Sequence, residues 1–210
     1  MRRDSIVSAV AGVFFGLLVG WIIGSQQNAV RPGGSPAPTQ AAAPAGPAAS
    51  STPPAAPLDE NRARALQARA ESNAQDAPAR AELANLYFDA ERYQEAIRWY
   101  EDALRIDPKN VDASTDLGVA YYYLNQPDRA LQQLDHSLSI DAKHTKTLLN
   151  QGIIRAFGKQ DLEGAVKSWQ QVVALSPDSP EGRAAKQALD NVKSAHPGVG
   201  GDATARPPGS

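Results

Sequence analysis

Three histidines, His136, His144 and His196, and 23 aspartates and glutamates are the side chains from which this 210-residue chain could assemble acid–base or metal chemistry. A zinc or catalytic set needs three or four groups that converge. No histidine here has another at i+3 or i+4, and no carboxylate–histidine spacing supplies a metal site. His136 falls on an exposed helix face, His144 in a turn and His196 near the tail, so all three read as solvated. Carboxylates such as Glu101–Asp102 are spread along helix surfaces, where charge serves solvation. The absence of cysteine excludes disulfides, thiol nucleophiles and Cys-ligated zinc. Gly33-Gly34 lies in a proline-rich stretch, without the strand and helix that a phosphate-cradling loop requires. These residue types and spacings point away from an enzyme and imply neither a metal nor a cofactor.

What the spacing does supply is a scaffold. Small residues recur at Ala84, Gly118 and Gly152, at intervals of 34 and 34, and again at Ala96, Ala130 and Ala165, at intervals of 34 and 35. A period in this range marks stacked helix pairs, each too small to bury its apolar face alone. In the first unit Leu83, Ala84, Tyr87 and Phe88, then Ala96, Ile97, Tyr100, Ala103 and Leu104, fall at three- and four-residue steps, as amphipathic helices require. A turn at Asp89–Tyr93 separates them, and Pro108 ends the second helix.

At these residues the chain resembles the tetratricopeptide repeat (TPR) family. Leu83-Ala84, Tyr87, Ala96, Tyr100, Ala103 and Pro108 match its whole motif in a unit spanning 77–110. Leu117-Gly118, Tyr121, Ala130 and Leu134 match in 111–144, where Ser137 is small enough to fit and Ala142 replaces the closing proline. Gly152, Ala165, Trp169 and Pro177 match in 145–179. This third unit departs at Gln151 and Arg155, where a leucine and an aromatic are usual, and its extra residue is expected in the turn Gly158–Leu162. A leading helix is expected over 58–73 and a capping helix over 180–195, with Pro180 at its start. The resemblance implies an all-α fold: an α-solenoid of three TPR helix pairs with a leading and a capping helix, filling 58–196.

Such arrays bind proteins. The resemblance implies that the first helix of each unit lines a concave groove. Helical spacing then assigns to the groove Ala81, Asn85, Phe88 and Asp89 in unit one, and Thr115, Val119, Tyr122 and Tyr123 in unit two. In unit three it assigns Lys146, Leu149, Asn150, Ile153 and Phe157. This mix of aromatics, amides and one lysine suits an extended or helical peptide. The aromatics Phe88, Tyr122 and Phe157 fit packing between units equally well. One branch of the family clamps acidic chaperone tails with Lys, Arg and Asn. Asn85, Lys146 and Asn150 could stand in clamp-like places, but Ala81 replaces a lysine, and Asp116 replaces an asparagine and would repel a carboxylate; that activity is set aside. Residues 58–196 carry 17 Lys/Arg against 21 Asp/Glu, a net of −4, where a nucleic-acid binder would show a basic face.

Before the array, residues 5–24 are almost wholly apolar, and Ile6–Gly24 carries no charge. Its helical length of about 29 Å matches a hydrocarbon core of about 30 Å. A cleaved signal peptide is the competing reading, but its apolar region is shorter, and Ser25-Gln26-Gln27-Asn28-Ala29 is a poor cleavage site. Arg2 and Arg3 within residues 1–4 place the N-terminus in the cytoplasm and the repeats outside, in the periplasm of a Gram-negative cell. Gly12, Gly16, Gly20 and Gly24 could let two such helices associate. Residues 25–57 form a Pro/Ala-rich linker expected to be disordered, with 8 Pro and 9 Ala in 31–57. Residues 197–210 form a Gly/Pro-containing tail, also expected to be disordered. A second branch of the family has the same layout, a membrane anchor followed by a periplasmic TPR domain, and helps assemble c-type cytochromes by presenting the apoprotein. The leading expectation is a membrane-tethered protein-binding scaffold. The alternative is a self-assembling protein that oligomerises through its repeats and its glycine face.

Overall fold

The computed structural model describes residues 57–199. The apolar segment 5–24, its glycine series, the linker before residue 57 and the tail from residue 200 lie outside the described residues. Among those described, no helix is long and apolar enough to cross a membrane.

Eight α-helices follow one another: α1 (Glu60–Ser72), α2 (Ala77–Asp89), α3 (Tyr93–Ile106), α4 (Val111–Tyr123), α5 (Pro127–Ile140), α6 (Thr145–Ile153), α7 (Leu162–Leu175) and α8 (Pro180–Ala195). Local chemistry sets most of the starts. Orphan amide donors of the first turn are capped by Asp59 on Arg62, Asp76 on Ala79, Asn110 on Ala113, Asp161 on Gly164 and Ser179 on Gly182. Prolines occupy the first turns of α2, α5 and α8, where a missing N–H costs nothing.

Each first helix folds back onto its second through one residue in the left-handed region: Glu91, Asn125 and Gln160, at φ of 57°, 57° and 56°. These residues precede Ala96, Ala130 and Ala165 by the same five positions. They follow Ala84 and Gly118 by seven positions but Gly152 by eight. The extra residue of unit three therefore sits inside the first helix, not in the turn where the spacing had put it. It is absorbed as a π-helical segment, Ile154–Gly158, that continues α6. The amide of Lys159 reaches the carbonyl of Ile154 at 3.2 Å, the i→i+5 bond of a π-turn.

The small residues do what their positions predict. Ala84, Ala96, Ala130 and Ala165 are fully buried. A Cβ on Gly152 would fall 2.2 Å from the indole nitrogen of Trp169, and one on Gly118 would fall 2.9 Å from Leu134 Cδ2. The core runs through the stack. Leu66, Ala70, Ala79 and Leu83 join α1 to α2, and Tyr100, Leu117, Tyr121, Leu134 and Ile154 continue it from α3 to the π-segment. The departures in unit three have polar partners. Gln151 is buried, accepts from Ser168 Oγ at 2.9 Å and donates to Asp135 at 2.7 Å. The guanidinium of Arg155 lies 3.3 Å from the carbonyl of Gly164.

Candidate peptide-binding face

The first helices α2, α4 and α6 lie in a row, and short contacts join α4 to α6. Thr115 and Thr147 approach to 2.6 Å through their hydroxyls. Lys146 Nζ is 2.7 Å from Asp116 Oδ1, and His144 Nε2 is 3.4 Å from Asp112 Oδ1. Equating Ala84, Gly118 and Gly152 aligns the helices position by position. Glu82, Asp116 and Asn150 then form one rung across the row. Asn85, Val119 and Ile153 form the next, and Asp89, Tyr123 and Phe157 the last. All but Ile153 reach the surface, as a solvent-facing stripe.

The groove residues expected from helical spacing divide into three groups. Asn85 and Asp89 are exposed. Phe88, Val119, Tyr122, Tyr123, Lys146, Asn150 and Phe157 are half-buried. Thr115, Leu149 and Ile153 are buried at 0%, 3% and 4% exposure and cannot touch a peptide lying on the surface. Thr115 and Leu149 share the register of Ala81 and are turned into the packed interior. Thr115 donates its hydroxyl to the carbonyl of Val111 at 2.7 Å and meets Thr147 across the seam. Leu149 offers its carbonyl to the indole N–H of Trp169 at 3.2 Å.

Two carboxylates of the stripe, Glu82 and Asp112, were absent from the expected set, and Asp116 entered it only as a misfit to the clamp. The series 112, 116, 119, 123 runs at helical steps through Val119 and Tyr123 and was the signal that could have found the last two.

Electrostatics make this stripe acidic, with its cations already engaged. Arg62 of α1 bonds Glu82. Lys146 holds Asp116, whose side chain is 20% exposed. Burial pushes the Asp116 carboxyl above the ordinary aspartate value, and Lys146 opposes that rise. Asp89 is also raised, first by burial and then by the charge of Asp116. Asn85 accepts the Tyr100 hydroxyl at 2.6 Å, which orients its carbonyl oxygen inward and turns its NH2 away. Beside the stripe Tyr93 and Tyr123 stack at 4.6 Å, and Phe88 meets both edge-on at 5.4 and 5.7 Å. Burial raises both phenols, Tyr93 to about 12.

Residues 84–125, from α2 into α4, match the sequence model described as TPR repeat. Curated relatives agree. RNA polymerase II-associated protein 3 of Mus musculus is 31% identical over 130 residues, 60% of this chain and 20% of that protein. BBSome complex member BBS4 of Bos taurus is 31% identical over 100 residues, 48% of this chain and 19% of that protein. The chain thus spans about a fifth of the length of these relatives. Among solved structures, MamA superposes with a TM-score of 0.57 at 14% identity, over 63% of this chain and 75% of that one, which shows the fold. The first TPR of Spaghetti (RPAP3), bound to the HSP90 peptide SRMEEVD, superposes with a TM-score of 0.53 at 29% identity, over 59% of this chain and 94% of that one. Small residues where helices touch, left-handed turns in fixed register and a shared repeat sequence converge on one description: the described residues form an array of eight helices similar to TPR domains, and residues 84–125 within it match the TPR repeat.

Proposed function

We propose that the array is a non-enzymatic scaffold that captures an extended or helical peptide of a partner protein on the open face of α2, α4 and α6. The observation that carries this reading is the solvent-facing stripe. It crosses successive repeats and combines amides, carboxylates and half-buried aromatics, the surface chemistry of peptide recognition. The outward side of α1 supports peptide capture over end-to-end stacking of copies. It presents Asn61, Arg64, Gln67 and Glu71, with no apolar patch for a neighbour.

Residues 5–24 serve in this proposal as a membrane anchor and 25–57 as a tether, with the array outside the cytoplasm. The support is the apolar length and the arginines at positions 2 and 3. Presentation of an apocytochrome is one task that such a tethered array could perform, and its support is this layout alone.

A second reading comes from the RPAP3 structure, in which a related array holds an HSP90 peptide rich in carboxylates. The closed Lys146–Asp116 pair weighs against it here, because the lysine that would meet a carboxylate is already neutralised.

A photo-crosslinking amino acid placed in the full chain tests the face. Position 119 should yield adducts with a discrete set of partner peptides, while exposed position 98 on α3 should not. Equal adducts from both positions would refute the assignment. Extraction of the chain from membranes by alkaline carbonate would remove the anchor.

A further inference from the structure

The lysine and arginine along the stripe are each paired with a carboxylate, and the Asp89 carboxylate has no direct partner among the described residues. Arg62 bonds Glu82, Lys146 bonds Asp116, and His144 faces Asp112. The Asp89 side chain makes no direct hydrogen bond or ion pair among the described residues, and Arg62 acts on it only at longer range. It ends α2, on the rung that carries Tyr123 and Phe157 in the following repeats. We infer that the face of the first two repeats recognises a peptide bearing a lysine or arginine, with the cation seated at Asp89. This rests on the peptide-binding reading and names the class of peptide.

Charge complementarity carries the inference. An arriving carboxylate would meet Asp89 and Asp116 and could recruit Lys146 only by breaking its pair. An arriving ammonium or guanidinium meets a carboxylate with no direct partner, on which the charge of Arg62 acts only from a distance. The net charge of the domain, −4 over residues 58–196, attracts the same class of ligand at longer range.

Two neighbouring features suit such a peptide. The NH2 of Asn85, turned away from Tyr100, can donate to a peptide carbonyl one helical turn from Asp89. The half-buried rings of Phe88, Tyr93 and Tyr123 offer flat surface to an alkyl stem or a guanidinium plane.

The test uses the full chain in a non-ionic detergent and pools of capped octapeptides, random except for one fixed position occupied by Arg, Lys, Gln or Glu. The Arg and Lys pools should be retained about tenfold more than the Glu pool, a difference of about 1.4 kcal/mol. Asp89→Asn should erase this preference and leave retention of the Gln pool unchanged. Asp190→Asn makes the same change in net charge on exposed α8 and should leave the preference intact. Retention without charge preference, or a preference for Glu, overturns the inference while peptide capture stands. The same holds for a preference that survives Asp89→Asn, or one lost equally in Asp190→Asn. Retention of no pool overturns both readings. Circular dichroism of each variant confirms that the helices persist.

Discussion

Lys146 Nζ lies 2.7 Å from Asp116 Oδ1, and the pair ties α6 to α4 on the open face of the array. The two residues are 30 positions apart, close to one repeat, so the contact joins consecutive units and not neighbours in sequence. It also sets the chemistry of the surface. A lysine that would otherwise invite carboxylates is neutralised, and the negative potential of the face passes to Asp89.

The pair makes stability depend on pH in a defined direction. Asp116 and Asp89 both have raised pKa values, burial being the first cause. The folded protein therefore binds more protons than the unfolded chain between the ordinary aspartate value, about 3.9, and the folded one. The stability these two groups contribute falls as pH rises through that window and levels off above it. Asp116→Asn should flatten this fall, because it removes one raised carboxyl and the charge that helps raise Asp89, while Asp76 and Glu95, both lowered, act in the opposite direction. Urea denaturation at a series of pH values measures it; a variant that declines as steeply as the parent would show that Asp116 is not the source.

Gly152 and Gly118 occupy the same repeat position but should respond differently to alanine. Either substitution gains about 1 kcal/mol of helix propensity. At Gly152 the new methyl meets Trp169, whose indole is buried and hydrogen-bonded to the carbonyl of Leu149, so it has nowhere to go. Overpacking of about 1–3 kcal/mol should prevail, and the melting temperature should drop. At Gly118 the overlap is milder, with Leu134 Cδ2 at 2.9 Å and the carbonyl oxygen of Ala130 at 3.2 Å. Gly118→Ala should be near neutral, and equal melting of the two variants would contradict the packing described.

Thr115 and Thr147 share a buried hydroxyl contact of 2.6 Å. Thr115→Val alone removes one partner of the buried Thr147 hydroxyl, which keeps His144 Nδ1 at 2.6 Å, a cost of about 1 kcal/mol. Changing both threonines to valine removes both polar atoms. The double variant should therefore lose less than the sum of the singles, with a coupling of about 0.5–3 kcal/mol. Strict additivity in denaturant titrations would mean that the hydroxyls do not interact.

Gln151 stands where the repeat usually carries leucine, yet Gln151→Leu should destabilise the protein. The glutamine accepts from Ser168 Oγ and donates to Asp135, so a leucine would leave buried Ser168 with one partner fewer. The expected cost is about 1 kcal/mol, and adding Ser168→Ala should recover most of it. A single variant that melts above the parent would show that the polar contacts are dispensable.

Local chemistry written into the sequence determined the helices and the repeat. Capping aspartates, first-turn prolines and small residues 34 or 35 positions apart act over a few residues or recur visibly, so the helix pairs and the capping helix were legible without coordinates. Periodicity states the angle between two residues on one helix but not where the next helix lies. For that reason Thr115 and Leu149, assigned to the groove by spacing, are turned into the interior, while Glu82 and Asp112 lie on the open stripe. The place of the extra residue in unit three was likewise beyond local reading. A turn and a π-segment accommodate one residue equally well in sequence. Packing decides between them: Gly158, at the end of the π-segment, sits so tightly that a Cβ there would fall 2.9 Å from Pro127 and 3.0 Å from Tyr122 of the preceding unit. The charge of the binding face was decided in the same way, by which carboxylate in one repeat meets which cation in the next.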